Sequence, residues 1–561
     1  MQDFKQLLTE LLTTQNTLEG VVHLWSMSTS KEELKTAQEL GCASILHLVQ
    51  AMVSDSRTIA PLFLVTQGTQ QVADSENNLE VQQAPVWGLS RVIALEHPEL
   101  KCKRIDLGKT WNSSETLEVL GNSVLNPDDE DQIAIRGGVR YVARLVRRSL
   151  NQVSPAQNAI LEQEQKIKFN TQGSYLVTGG LGALGLEVAQ WMVKQGAQHI
   201  VLTGRRPPSE TAQETIQKLE QTGAKISVIL GDISEEQDVV SILKQIQESQ
   251  PSLRGVIHAA GVLDDGVLQQ MSWERFRKVM APKLEGAWHL HQLTQKLPLD
   301  FFVCFSSIAS LLGSSGQGNY AAANAFMDAL AYHRRNMGLP GLTINWGAWE
   351  RGGMAARLTS QHQSRLRTTG MGIIAPEQGL QILGELLPQS VNQVGVCPIN
   401  WSHFWEQLPS GVNIPFLEAF ASSKLQKETA NSEEILVQLA AAVDSYRLQI
   451  LIDFLQRKIA KLLGMSQSQL PNPELGFFSL GMDSLIAVEL RNLLSSSLGC
   501  SINTTTLFKT SNIQDLAEYL IKEILPEEQS QKVDIKESQN ITSPQMEIQE
   551  EGKLMMRSLM N

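Results

Sequence analysis

Three glycines, Gly180, Gly182 and Gly185, stand in the run Thr178-Gly179-Gly180-Leu181-Gly182-Ala183-Leu184-Gly185, between a β-rich stretch at 174–177 and the helical sequence LEVAQWMVKQG. Glycines in that setting let backbone amides and a helix N-terminus close around a pyrophosphate, so a dinucleotide is expected there. After the next β-rich run the chain reads Leu202-Thr203-Gly204-Arg205-Arg206, at the place where an acidic residue would hold a free ribose 2′-hydroxyl. A planar guanidinium suits a 2′-phosphate instead, because it can hold phosphate oxygens bidentately. NADPH is therefore expected over NADH. Arg205 is its expected ligand, and Arg206 is either a second one or a solvated basic turn residue. Thr178, Leu181 and Asp232 complete the expected cofactor set. Further on, Ser306-Ser307 ends another β-rich run, and Tyr320 and Asn324 open a helical stretch thirteen residues after Ser307.

Elements must bring these residues together. Short β-rich runs at 175–178, 199–203, 226–230, 255–258, 301–305 and 341–345 alternate with helical stretches, which calls for a parallel, doubly wound, Rossmann-like α/β sheet over residues 165–420. Residues 1–150 read as another α/β unit without a catalytic motif, with apolar runs at 20–25 and 61–65 and helical spacing at 87–95. Residues 435–524 place Leu448, Leu451, Ile452, Leu455, Ile459 and Leu462, then Leu485, Val488, Leu490 and Leu493, at helical spacing, as in a small all-α bundle. A linker at 421–434 and a polar tail at 525–561 flank that bundle.

Composition excludes several classes. With 42% hydrophobic and 19% charged residues, the 561-residue chain is neither disordered nor collagen-like. A net charge of −12 argues against nucleic acid or an anionic membrane as a partner. The five cysteines are scattered with no C-x-x-C pair, so no metal site is expected and a reduced, cytoplasmic setting is. No apolar run approaches the roughly 20 residues of a membrane span, and the opening MQDFKQLLTE lacks the order of a signal peptide.

The run TGGLGALG, the run HAAG at 258–261, a strand ending in FSS and Tyr320 together resemble the short-chain dehydrogenase/reductase superfamily. Where that superfamily has Tyr-x-x-x-Lys, this chain has Asn324, and its lysine stands earlier, as Lys283 in Met-Ala-Pro-Lys. The exchange is similar to the ketoreductase domains of modular polyketide synthases, as are Asn345-Trp346-Gly347-Ala348-Trp349 and Gly353-Met354. The resemblance covers essentially the whole chain and implies that residues 1–150 are a degenerate, cofactor-free structural subdomain. It also implies a chemistry. Hydride reaching the ketone of a β-ketoacyl thioester leaves an alkoxide that needs a proton. A phenol of ordinary pKa near 10 is a poor donor unless a cation lowers that value. Tyr320 is then the expected proton donor, Ser307 a second donor to the carbonyl oxygen, Lys283 the cation, and Asn324 the holder of a water or of the lysine. Leu263-Asp264-Asp265, with Leu312 where the A-type enzymes carry tryptophan, resembles the B-type class that gives the D-hydroxyl. Gln317 and Ala322 fit the same pattern. The loop is expected to act sterically, by deciding which side the acyl arm enters.

Gly481-Met482-Asp483-Ser484-Leu485 followed by IAVELRNLL resembles the attachment site of acyl carrier proteins, which implies a 4′-phosphopantetheine arm esterified to Ser484. Residues 444–524 hold eight acidic and seven basic side chains, a near balance where such carriers are often acidic, so weaker charge-driven docking is expected. No acyltransferase Gly-x-Ser-x-Gly elbow and no ketosynthase cysteine is visible. The resemblance thus implies upstream ketosynthase and acyltransferase domains or subunits and a phosphopantetheinyl transferase. The tail fits either a docking helix for a downstream module or a solvated segment. Two other readings stay open: a reductase of free small ketones, against which Ser484 argues, and a catalytically silent carrier scaffold, against which Lys283, Ser307, Tyr320 and Asn324 argue.

Overall fold

In the computed structural model the described residues are 1–14, 17–27, 33–72, 79–148, 169–351, 370–406, 414–423, 432–463, 465, 470–498, 502, 507 and 510–524. The tail 525–561, most of the linker 421–434, and Gly353 and Met354 lie outside them. The first unit is a five-stranded sheet of β1 (Val21–His23), β2 (Leu62–Gln67), β3 (Lys103–Leu107), β4 (Gln132–Arg136) and β5 (Val139–Val142), paired in that order. β1 to β4 run parallel, and β5 closes the edge antiparallel to β4. Helices cover its strands, α1 (Ala84–Glu96) among them.

The second unit is a seven-stranded parallel sheet. Its strands are β6 (Ser174–Thr178), β7 (His199–Gly204), β8 (Lys225–Leu230), β9 (Leu253–His258), β10 (Phe301–Ser307), β11 (Leu342–Trp346) and, past the short pair β12 (Ala348–Trp349) and β13 (Ile373–Ile374), β14 (Gln393–Val396). The order is β14-β11-β10-β9-β6-β7-β8. Central strands such as SYLVT are buried on both faces, as a sheet covered by helices on each side requires. The order reverses between β6 and β9, and open α/β sheets bind ligands outside the carboxyl ends of the strands at such a point. The helices that matter for the site are α2 (Ala183–Lys194), α3 (Trp273–Thr294) and α4 (Gly318–Asn336).

One apolar core runs through both units, joining Leu46, Leu64 and Leu89 of the first to Leu176, Phe276 and Phe326 of the second. Backbone meets backbone where α1 crosses α4. A Cβ on Gly88 would sit 2.2 Å from the carbonyl oxygen of Ala321, so only glycine allows this approach. The carrier-like segment packs α5 (Asp444–Leu462), α6 (Ser484–Leu498) and α7 (Ile513–Ile524) around Leu451, Leu455, Leu490, Leu494, Leu516 and Leu520. Among the described residues no helix is long and apolar enough to cross a membrane, and no cluster could hold a metal ion.

Candidate functional site

β6 ends at Thr178, whose hydroxyl hydrogen-bonds His258 Nδ1 at the end of β9 (2.7 Å). Burial, with Lys283 nearby, pushes the His258 pKa down to about 3, so this imidazole is a neutral tie between two strand ends. Gly179 follows with φ +68°, and a Cβ there would lie 2.9 Å from Ala260. The turn therefore passes tightly across the ends of β6 and β9. Gly180 sits as close, with a Cβ only 2.6 Å from the Val177 carbonyl oxygen. Gly182 then caps α2 without any side-chain acceptor, which leaves the first-turn amides of α2 without a side-chain cap. Gly179 was not among the expected cofactor residues; the doubled glycine was the signal that could have found it. At the ends of β7 and β8, Arg205 Nη1 lies 3.6 Å from Asp232 Oδ2, and Arg206 is exposed beside it. Asp232 is held in turn by Ser234, whose amide and hydroxyl donate to Oδ1 (3.0 and 2.6 Å). An uncapped helix end with a glycine cradle, and a guanidinium at the next strand end, fit a diphosphate and a 2′-phosphate.

Ser307 closes β10, Tyr320 lies in the first turn of α4, and Lys283 enters from α3. Lys283 is 2% exposed; its Nζ donates to the Phe305 carbonyl (3.0 Å) and lies 5.3 Å from the centroid of the Tyr320 ring. Desolvation pulls its pKa down to about 8, with the neighbouring Cys304 and Asp328 acting in the opposite direction. Ser307 Oγ accepts the Ala309 amide (3.2 Å), which leaves its own proton available to donate.

Two particulars differ from the sequence expectation. The phenol is not lowered: burial raises the Tyr320 pKa to about 12, with the Ser307 and Asn324 side chains acting in the opposite direction. Asn324 does not hold the lysine either. Its Nδ2 donates to the Tyr320 carbonyl (2.7 Å), and its Oδ1 is buried with no hydrogen-bond partner among the described residues. One turn further on α4, buried Asp328 accepts from Ser310 (2.6 Å), Thr343 (2.9 Å) and Asn345 (2.8 Å). That carboxylate, which no sequence motif announced, ties α4 to the ends of β10 and β11.

The loop at Leu263-Asp264-Asp265 is fastened on several sides. Val262 and Leu263 pack with Val279 and Ala309 on Tyr320. Asp264 accepts Arg275 Nε and Nη2 (2.9 and 2.6 Å) and pairs with Lys278 (3.6 Å), and Arg275 holds its carboxyl below the ordinary range. The Asp264 carbonyl accepts Asn319 Nδ2 (2.8 Å), Asp265 accepts Gln317 Nε2 (3.0 Å), and Gly266 N donates to the Gly316 carbonyl (2.7 Å). Arg275, Lys278 and Asn319 had not been singled out from the sequence. The first unit reaches in as well. Gln50 Nε2 donates to the carbonyls of Leu268 and Met271 (2.8 Å each), and the Glu96 carboxylate accepts the amides of Leu268 (2.6 Å) and Gly316 (2.7 Å). Leu312 packs against a separate cluster of Trp405, Phe416 and Leu417. Ser484 is the first residue of α6, half-buried, and Asp483 Oδ1 caps that helix through the Ile486 amide (2.8 Å).

Residues 173–351 match the KR domain family, residues 2–145 the Rossmann fold domain of the polyketide synthase extender module SpnB, and residues 453–520 the phosphopantetheine attachment site. The polyketide synthase GfsA of Streptomyces halstedii is 34% identical over 520 residues, which is 90% of this chain and 7% of that protein. A 6-methylsalicylic acid synthase of Arthrobotrys oligospora is 32% identical over 91% of this chain and 29% of its own length. The chain thus spans less than a third of the length of these curated relatives. Among solved structures, an A1-type ketoreductase superposes with a TM-score of 0.67 at 32% identity, over 76% of this chain and 87% of that one. A C2-type ketoreductase from a modular polyketide synthase gives 0.62 at 29% identity, over 72% and 84%.

Proposed function

Because the chain belongs to the ketoreductases of modular polyketide synthases, with a phosphopantetheine attachment domain behind them, we propose that it reduces a β-ketoacyl thioester carried on Ser484 to the D-β-hydroxyacyl thioester, with NADPH as reductant. The observation that carries this reading is the meeting of Tyr320, Ser307 and Lys283 at the carboxyl edge of the second sheet, beside the glycine turn.

NADPH, when bound, supplies the hydride. The first-turn amides of α2 would hold its diphosphate and Arg205 its 2′-phosphate, with Asp232 steadying the guanidinium. Tyr320 and Ser307 donate to the ketone oxygen, a preorganised pair in which one donor is worth about 3–4 kcal/mol in the transition state. The Tyr320 hydroxyl then gives up its proton to the alkoxide, and the Lys283 ammonium near the ring stabilises the phenolate left behind. The stereochemical part rests on Leu263-Asp264-Asp265 together with Leu312; the structural relatives above carry other type names, which belong to those proteins. Leu263 packs on Tyr320, so the loop walls one side of the phenol. The setting we infer is a cytoplasmic assembly line, with ketosynthase and acyltransferase domains or subunits upstream and a phosphopantetheinyl transferase to load Ser484.

Turnover of a β-ketoacyl N-acetylcysteamine thioester tests the core of the reading. NADPH should support a higher rate than NADH, Arg205→Ala should raise the KM for NADPH about tenfold, and chiral chromatography should show a strong D excess. Preference for NADH would remove the cofactor assignment, and an L excess the B-type one. Mass spectrometry after incubation with coenzyme A and a phosphopantetheinyl transferase should show one arm added, absent in Ser484→Ala.

A further inference from the structure

Among the described residues, the carrier-like bundle touches the reductase where α6 meets the end of α1. α6 contains a single cationic side chain, Arg491, seven residues past Ser484. Its side chain is 2% exposed, and Nη1 lies 3.6 Å from Glu99 Oε2 in the first unit. The neighbouring Asn492 Nδ2 donates to the Leu95 carbonyl (3.3 Å), in the last turn of α1. A helix C-terminus carries partial negative charge on its carbonyls, and here two acids add to it: Glu96, the last residue of α1, and Glu99 three residues on. Desolvation lowers the Arg491 pKa, and both carboxylates act in the opposite direction. Arg491 thus buries its charge against the most negative end of that helix.

Glu96 gives the place its meaning. It is fully buried and hydrogen-bonded to two backbone amides, one at Leu268, just beyond the Leu263–Asp265 loop, the other at Gly316, four residues before Tyr320. Burial raises the Glu96 pKa, and the two amide donors, His97 and the Arg491 guanidinium act in the opposite direction, each favouring the carboxylate. The carrier is nearly neutral over residues 444–524, so a broad field cannot steer it, and one desolvated cation has to fix the register.

We propose that the C-terminal end of α1, with Glu96 and Glu99, is the docking face for the carrier domain, which seats α6 on it through Arg491. A docked carrier then leans on the same carboxylate that holds both loops around the substrate. The proposal rests on the reading of α6 as a carrier helix, and the experiment keeps the two apart.

Single-turnover reduction is measured in the full holo chain for a β-ketoacyl group on the Ser484 arm and for the same group on N-acetylcysteamine in solution. Arg491→Glu should lower the tethered-to-free rate ratio about tenfold, and Glu99→Arg in the same chain should restore most of it. An unchanged ratio in Arg491→Glu overturns the proposal. So does a loss that the charge exchange fails to reverse. Failure of the wild-type chain to reduce the free thioester, or to take an arm on Ser484, would instead remove the underlying functional reading.

Discussion

Each of the two large sheets has parallel strands at its centre, and the turns at the carboxyl ends of those strands are treated in opposite ways. After β2, Gly68 turns with φ +64°, and the amides of Thr69 and Gln70 go to the carboxylate of Asp106 on β3 (2.9 and 3.1 Å). Thr66 donates to the same carboxylate (2.7 Å), and Arg136 pairs with it (2.6 Å). After β6, Gly179 turns with φ +68°, but the helix start that follows has no side-chain cap. The first edge is closed by an anion of its own; the second is left open for one from outside. A parallel sheet therefore offers a ligand site only where its turn amides are not already satisfied from within.

The contrast can be broken by substitution at each edge. At the open edge, Tyr320→Phe should lower kcat by about 10²–10⁴, the range for a lost general acid, without moving the unfolding temperature. At the closed edge, Asp106→Asn leaves Arg136 facing a neutral amide inside the protein and should cost about 3 kcal/mol of stability. Thermal unfolding by circular dichroism reads that loss, while turnover well below the transition should change little. If Tyr320→Phe mainly destabilised the chain, or Asp106→Asn mainly removed turnover, the roles of the two edges would be reversed.

A pH series sharpens the contrast with the smallest effect. Lys283 titrates at about 8 and Tyr320 at about 12, so above pH 8 the lysine loses its charge while the phenol keeps its proton. If the cation is needed, kcat falls about tenfold per pH unit from there. Stability moves the other way. An unfolded lysine titrates near 10.5, so between pH 8 and 10.5 the unfolded chain binds more protons at this group, and its contribution to folding becomes more favourable as pH rises. A kcat that stays flat to pH 9.5 would show that the neutral amine suffices.

Much of the second sheet was legible because its strands are short, nearly unbroken apolar runs between helical stretches. β14, with the sequence QVGV, was not, since an edge strand only partly buried carries no such run. β5 escaped for the same reason, being mostly exposed. Within the site, the glycine turn, Ser307, Tyr320, Lys283 and Asn324 stand out as residue types in local motifs. Glu96 does not, because its partners are backbone amides, one of them 172 residues away, and every residue but proline carries such an amide. Asp106 and Asp328 were hidden likewise. The raised phenol pKa was illegible too, since it follows from burial by α3, α4 and the Leu263 loop together and not from any neighbour in sequence.

The bare crossing at Gly88 decides how this protein can be taken apart. A first unit transplanted from elsewhere would meet α4 with whatever residue it carries at that position, and any β-carbon would strike the peptide that joins Ala321 to Ala322. The shared core would be severed at the same cut. Recombination between assembly lines, in nature or in the laboratory, must therefore move residues 1–148 together with the catalytic sheet as one cassette, with the joints placed outside the pair.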